Sequence, residues 1–78
     1  MNKRALTVLF EQQQIPKDMY SLAGGLPNDA YCLQQTSQGW EVYYSERGIK
    51  SGLVFFPDEE TACSYLYSLI LSEVKKYK

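Results

Sequence analysis

The sequence contains no histidine. Histidine is the usual general base near neutral pH and the commonest nitrogen ligand for metals. Its absence removes Ser-His-Asp and Cys-His catalysis, HExxH metalloproteases and every histidine-bearing zinc site. Cysteine is almost as scarce. Cys32 and Cys63 cannot complete a four-ligand zinc site, and their separation fits no CxxC redox motif. They read as reduced, buried, small hydrophobes of a cytosolic protein, with a disulfide between them as the alternative. No apolar run approaches the ~20 residues of a membrane span. The opening MNKRALTVLF resembles a signal peptide only superficially. Its apolar stretch ends at Phe10 and meets Glu11-Gln12-Gln13-Gln14 before an h-region of ~7 to 15 residues or a small-residue cleavage site can form. The expected address is the cytoplasm, and neither a metal nor a cofactor is expected.

What remains is material for one domain. A chain of 78 residues lies within the ~50 to ~200 of an independently folding unit. At this size only about 60% of the unfolded chain's surface is buried, so a thin core and no deep substrate cleft are expected. The 45% hydrophobic and 22% charged shares are those of a globular protein.

Periodicity divides the chain. Ala5, Leu6, Leu9 and Phe10 recur at three- and four-residue spacing, predicting an amphipathic helix over 2–14 that stops before Pro16. Pro16-Lys17-Asp18 can open a second short turn carrying Met19, Tyr20 and Leu22, with Gly24-Gly25 as its stop. Leu26 to Asp29 reads as a loop. The period then becomes two: residues 31–36 and 40–45 form strands across Ser37-Gln38-Gly39, which predicts a β-hairpin. Arg47 to Gly52 reads as the next turn and Leu53-Val54-Phe55-Phe56 as a third strand, completing an antiparallel meander. Pro57 ends that strand and Asp58 is a natural N-cap, with Glu59 and Glu60 in the first turn. Ala62, Cys63, Leu66, Leu69, Ile70 and Val74 form one stripe, so residues 58–77 should be the longest helix, with Lys75, Lys76 and Lys78 at its negative end. The stripe needs a receiver. One face of the meander supplies it, giving an α+β fold with helices packed on a three-stranded antiparallel sheet.

Charge is uneven along this frame. The total is −1, yet residues 28–60 hold Asp29, Glu41, Glu46, Asp58, Glu59 and Glu60 against Arg47 and Lys50, a local net of −4. An acidic middle argues against a nucleic-acid binder and suits a basic protein partner.

Apparent catalytic motifs have structural explanations. Ser72-Glu-Val-Lys75 has S-x-x-K spacing but lies in the last turns of a helix without SDN or KTG companions. Glu41 with Glu46, or Glu59 with Glu60, would need a sugar-sized groove to act as a glycosidase pair. Gly24-Gly25 lacks the later Gly and Lys of a phosphate loop. No enzyme is expected. Seven tyrosines are more informative. Tyr31, Tyr43, Tyr44, Tyr65, Tyr67 and Tyr77 cannot all enter so small a core, and tyrosine suits interfaces by joining a rigid apolar body to one hydroxyl. If Trp40, Val42 and Tyr44 face the helices, then Glu41, Tyr43 and Ser45 face outward, and the inverted register is equally compatible.

The stretch Gly39-Trp40-Glu41-Val42-Tyr43-Tyr44-Ser45-Glu46-Arg47-Gly48 is followed by Lys50, the apolar run 53–56 and Asp58-Glu59-Glu60-Thr61-Ala62-Cys63-Ser64-Tyr65-Leu66. This pattern resembles small bacterial immunity proteins, in which a W-x-V-Y-Y-S-E-R-G hairpin precedes an acidic helix containing alanine and cysteine. Such proteins are encoded beside the toxic C-terminal domains of contact-dependent inhibition and other polymorphic toxin systems. The resemblance spans roughly residues 23–72 and leaves 1–22 outside it. It implies a cytoplasmic protein that binds a cognate toxin domain, often a nuclease, and blocks its active site or its access to substrate.

Contact surfaces diversify in such proteins, so the resemblance carries over no binding residue. Charge and strand position nominate Glu41, Tyr43, Glu46, Arg47 and Lys50 on the hairpin and its turn, with Asp29 and Tyr31 nearby. Glu46-Arg47-Gly48 has an alternative reading as a structural turn held by a local ion pair. The alternative function is a small structural or regulatory interaction domain, such as a homodimer that uses the same aromatics on itself.

Overall fold

In the computed structural model, which describes residues 1–76, the chain opens with helix α1 (Lys3–Gln12). Asn2 starts it by accepting a hydrogen bond from the Ala5 N–H at 2.8 Å, and Leu6 and Phe10 face the core one turn apart. The helix ends at Gln12 rather than Gln14. Gln14 takes a left-handed φ of 57°, which lets the Ile15 N–H reach the Phe10 carbonyl at 2.9 Å and tucks Ile15 into the core. This is a Schellman-type stop with its hydrophobic contact, placed just ahead of Pro16.

A single 3₁₀ turn at Lys17–Met19 leads into strand β1 (Tyr20–Ser21), which pairs in parallel with strand β2 (Ala30–Thr36). The sheet is therefore four-stranded and mixed, in the order β1-β2-β3-β4, and not the expected three-stranded antiparallel one. Two residues after a helical turn are too few to show a two-residue period, so β1 leaves no pattern in the sequence. Parallel pairing also changes the role of Gly24-Gly25. They end no helix. They belong to segment 22–29, which carries the chain from the end of β1 back to the start of β2.

Strands β2, β3 (Gly39–Glu46) and β4 (Ile49–Phe56) form the antiparallel meander. The β3–β4 turn is tighter than expected. Arg47 and Gly48 alone form it, both at positive φ (52° and 76°), which makes a two-residue type I′ connection whose twist matches the flanking strands. Residues 49–51, assigned to that turn from the sequence, pair instead with β3 as Glu46↔Ile49, Ser45↔Lys50 and Tyr44↔Ser51. Gly52 is a β-bulge and not a turn residue. At φ 62° it supplies the extra residue that shifts the β3–β4 register opposite Tyr43.

Helix α2 (Glu59–Lys76) starts at Asp58, whose carboxylate accepts the Thr61 N–H at 2.7 Å. That bond holds the Asp58 carboxyl below the ordinary range. Ala62, Cys63, Leu66 and Ile70 are buried, with Leu69 and Val74 half-buried beside them. The expected roles of Tyr77 and Lys78 lie outside the described residues. No helix among the described residues is long and apolar enough to cross a membrane.

Both helices cover one face of the sheet, with their N-termini joined where the Lys3 N–H donates to Glu59 Oε2 at 3.0 Å. Leu6, Phe10, Leu66 and Ile70 meet Leu33, Trp40 and Val42 there. Trp40 and Val42 thus face the helices, which decides between the two registers that the sequence leaves open. The opposite face is not open, however: Cys32, Tyr43 and Ser45 on it are buried. Segment 22–29 is the cover. Gly25 offers its carbonyl to the Tyr43 hydroxyl, and a Cβ on Gly24 would stand 2.9 Å from the Gln34 side chain. Cys32 and Cys63, both free, lie in these two separate layers.

Because α2 supplies most of the helix-side contact, Leu66→Ala should lower stability by about 2 to 5 kcal/mol, read from the urea midpoint of the purified chain.

Candidate functional site

The seven residues nominated from the sequence fall into two groups on opposite faces of the β3–β4 hairpin. Glu41, Tyr43 and Lys50 lie on the face away from the helices, and they serve one another. Lys50 Nζ is 3.1 Å from Glu41 Oε1 and 4.6 Å from the centroid of the Tyr43 ring, so its charge is shared between a carboxylate and an aromatic face. Tyr43 is 1% exposed. Its hydroxyl lies 2.7 Å from the Gly25 carbonyl and 2.9 Å from Gln34 Oε1, two acceptors for its one proton. Burial, with Cys32 and Glu41 adding negative charge nearby, pushes the phenol up to about 12. Burial likewise raises the Cys32 thiol. Tyr43 is therefore the post on which the covering segment is fixed, and its apolar body is spent inside the protein.

The second group, Asp29, Tyr31, Glu46 and Arg47, is brought together at the end of the sheet where β2 begins and β3 ends. The register places Tyr31 beside Tyr44 and Tyr44 beside Ser51, forming one row across three strands on the helix side, near the last turns of α2. The Tyr31 and Tyr44 rings pack at 4.8 Å, tilted by 58°. Two shallow depressions flank this row. One, of about 200 Å³, is lined by Met19, Asp29, Tyr31, Tyr44 and Glu73. The other, of about 250 Å³, is lined by Glu46, Arg47, Ile49 and Ser51. Together they make an uneven strip with tyrosine and isoleucine in its floor. Its rim carries Asp29, Glu46 and Glu73 against Arg47, a negative balance.

Five members of this strip are not nominated by the sequence, namely Met19, Tyr44, Ile49, Ser51 and Glu73. Ile49, 67% exposed, falls in the Arg47–Gly52 segment that the sequence alone reads as a turn. Glu73 comes from α2, and only the tertiary fold brings it to the strands. A large β-branched residue beside an Arg-Gly turn was the available signal for Ile49, since such turns stand between strands.

Two members of the strip take a left-handed φ, Asp29 at 55° and Arg47 at 52°, and of these only Asp is a residue type that tolerates it well. A left-handed φ costs an ordinary L-residue roughly 1 to 2 kcal/mol, and this turn type favours Asn, Asp or Gly. Among the described residues neither Glu46 nor Arg47 forms an ion pair; the hairpin's ion pair is Glu41 with Lys50. The turn is thus held by its backbone twist, and the Arg47 side chain is presented at its tip. Compared with protein-family models, curated proteins and solved structures, the chain matches none of them.

Tyr43→Phe should cost about 1 kcal/mol by deleting the bond to segment 22–29. The native phenol titrates above the ordinary value, so the stability it contributes is complete below pH ~10 and lost as pH rises from there to about 12. That alkaline loss should be smaller in Tyr43→Phe, measured by denaturation across this range. Arg47→Gly should raise stability by about 1 kcal/mol, the left-handed strain less the added chain entropy, read as a higher urea midpoint.

Proposed function

We propose that the chain is an immunity protein that binds and neutralises a cognate toxin domain, a basic nuclease, by occluding its active site or its access to substrate. The contact surface in this reading is the strip at the hairpin tip. The observation that carries it is the convergence of Asp29, Glu46 and Glu73 around the Tyr31–Tyr44 row, with Ile49 exposed beside them and Arg47 held in a strained backbone at the tip. Strain at an exposed turn that Gly or Asn would relieve is a cost without a folding benefit, and such costs cluster at functional positions. The depressions are smaller than the ~300 to 1,000 Å³ of small-molecule sites, which favours a surface for a protein over one for a substrate.

The mechanism is electrostatic and steric. The acidic rim pairs with cations that a nuclease uses to hold phosphate, which speeds association, while the tyrosines and Ile49 supply desolvated contact that slows release. Tyr43, Glu41 and Lys50 hold the hairpin in shape and lie outside the contact. The resemblance of the Trp40–Gly48 stretch to immunity proteins supports the same partner class.

The test is co-expression of the chain with the toxic C-terminal domain encoded beside it, scoring growth and co-purification. The expected outcome is rescue by a stoichiometric complex. In that complex, Asp29→Lys combined with Glu46→Lys should lower the association rate roughly 10-fold at low ionic strength, and the difference should shrink as salt is added. Absence of rescue and of a complex would refute the function; rescue with an association rate indifferent to both reversals would move the contact to another surface.

A further inference from the structure

Segment 22–29 covers one face of the sheet with little to hold it there. Leu22 packs against the helix-side core and anchors its start. Beyond that point Ala23, Gly25, Leu26, Asn28 and Asp29 are exposed. Among the described residues none of Gly25 to Asn28 makes a backbone–backbone hydrogen bond. Two side-chain bonds fasten the segment, both to glycine carbonyls: Ser21 Oγ donates to Gly24 at 2.9 Å, and the Tyr43 hydroxyl donates to Gly25 at 2.7 Å. Left-handed residues stand near its two ends, Gly24 and Gly25 at φ 75° and 83° and Asp29 at φ 55°. Few buried apolar groups and a backbone open to water mark the part of a fold that opens at the lowest free energy.

The groups beneath are incompletely satisfied while the segment is closed. Cys32, Tyr43 and Ser45 share the covered face, each almost wholly buried. Among the described residues the Ser45 hydroxyl has no hydrogen-bond partner. A buried hydroxyl without a partner is destabilising, and opening returns it to water. Exposure of the Tyr43 ring acts in the other direction and keeps the open form a minor one. Burial raises the Cys32 thiol, so the closed form holds it neutral and unreactive. Cys32 has no exposed surface, and a group attached to its Sγ has no room under the closed segment. Attachment and closure therefore exclude one another. Cys63 is equally buried but belongs to α2, whose apolar stripe is part of the main core.

We propose that segment 22–29 is a hinged latch over Cys32, which opens while the helix side stays folded and is held open when a small thiol-reactive electrophile adds to Cys32. Gly24–Gly25 and Asp29 are the hinges, and the bond from Tyr43 to Gly25 is the catch. Ser45 eases release, because opening hydrates its hydroxyl. With N-ethylmaleimide the Sγ bonds to one alkene carbon and the thiol proton passes through solvent to the other, so the addition needs no further reactant. This assignment rests on the cover and its fastenings and is independent of the toxin reading.

The experiment follows N-ethylmaleimide addition to both cysteines of the purified full chain by peptide mass spectrometry, in buffer and in urea below the unfolding midpoint. Cys63 is the internal reference, since it reports opening of the whole fold. The expected result is modification of Cys32 at least ~10-fold faster than Cys63, with a Cys32 rate insensitive to low urea and a Cys63 rate that climbs with it. Tyr43→Phe should speed modification of Cys32 roughly 5-fold by removing the catch, whereas Leu66→Ala should speed that of Cys63 alone. The urea series on the unaltered chain keeps the test decisive if Leu66→Ala fails to fold. Chain modified at Cys32 alone should keep its helical circular dichroism and its Trp40 fluorescence. One common rate for both cysteines, with one urea dependence, would overturn the proposal, because Cys32 would then be reached only by global unfolding. Faster reaction at Cys63 would also overturn it, as would loss of the helical signal on modification of Cys32.

Discussion

Burial of β3 on both sides is the constraint on which the rest of this structure depends. In so small a chain one helix-covered face can hide only part of the apolar surface, and Trp40 and Val42 use that face. Tyr43 points the other way and is buried as well, because segment 22–29 lies over it and is fastened by the bond between the Tyr43 hydroxyl and the Gly25 carbonyl. The route of that segment follows from β1. A parallel strand forces the chain to travel back, and the return path is what closes the second face. Glycine is needed where the path comes closest: at Gly24 the backbone has φ 75° and no room for a Cβ against Gln34.

With its centre held this way, the sheet is ordered at β3 and open at β4 and at the hairpin tip. Helix α2 crosses the inner strands and leaves the outer one exposed. The surfaces that the core leaves open are therefore two: the acidic strip around Tyr31 and Tyr44, and the apolar edge from Leu53 to Phe55. The Lys50–Glu41 pair sits between them and stiffens the hairpin that carries both. In the proposed reading, folding and binding draw on different side chains of the same ten-residue stretch, with Tyr43 serving the first and Glu46 and Arg47 the second.

The parts of this arrangement that the sequence disclosed are those with a sustained period. The stripe of α2, its Asp58 cap and the meander are legible, since each repeats a local physical rule over several residues, whereas the face that Trp40 and Val42 take is decided only by packing. The parts that escaped it arise from non-local pairing. β1 is too short to show a period; Gly52 reads as a turn until its partner strand is known; and Tyr43 counts as a surface residue in any scheme where the face opposite the helices meets solvent. For the candidate site, charge and aromatic content nominate this hairpin but do not divide its two faces. That division depends on what covers each one, and only the path of segment 22–29 decides it.

In the proposed immunity function, the surface that meets a toxin is the hairpin-tip strip and not the Tyr43 face. The most direct measurement is a titration of the isotopically labelled chain with the catalytically inactive toxin domain, following backbone amide resonances. The account predicts perturbation concentrated at Asp29, Tyr31, Glu46, Arg47 and Ile49, with the amides of Gly24, Gly25 and Cys32 unmoved. Perturbation centred on segment 22–29 and Cys32, with the tip unaffected, would contradict it.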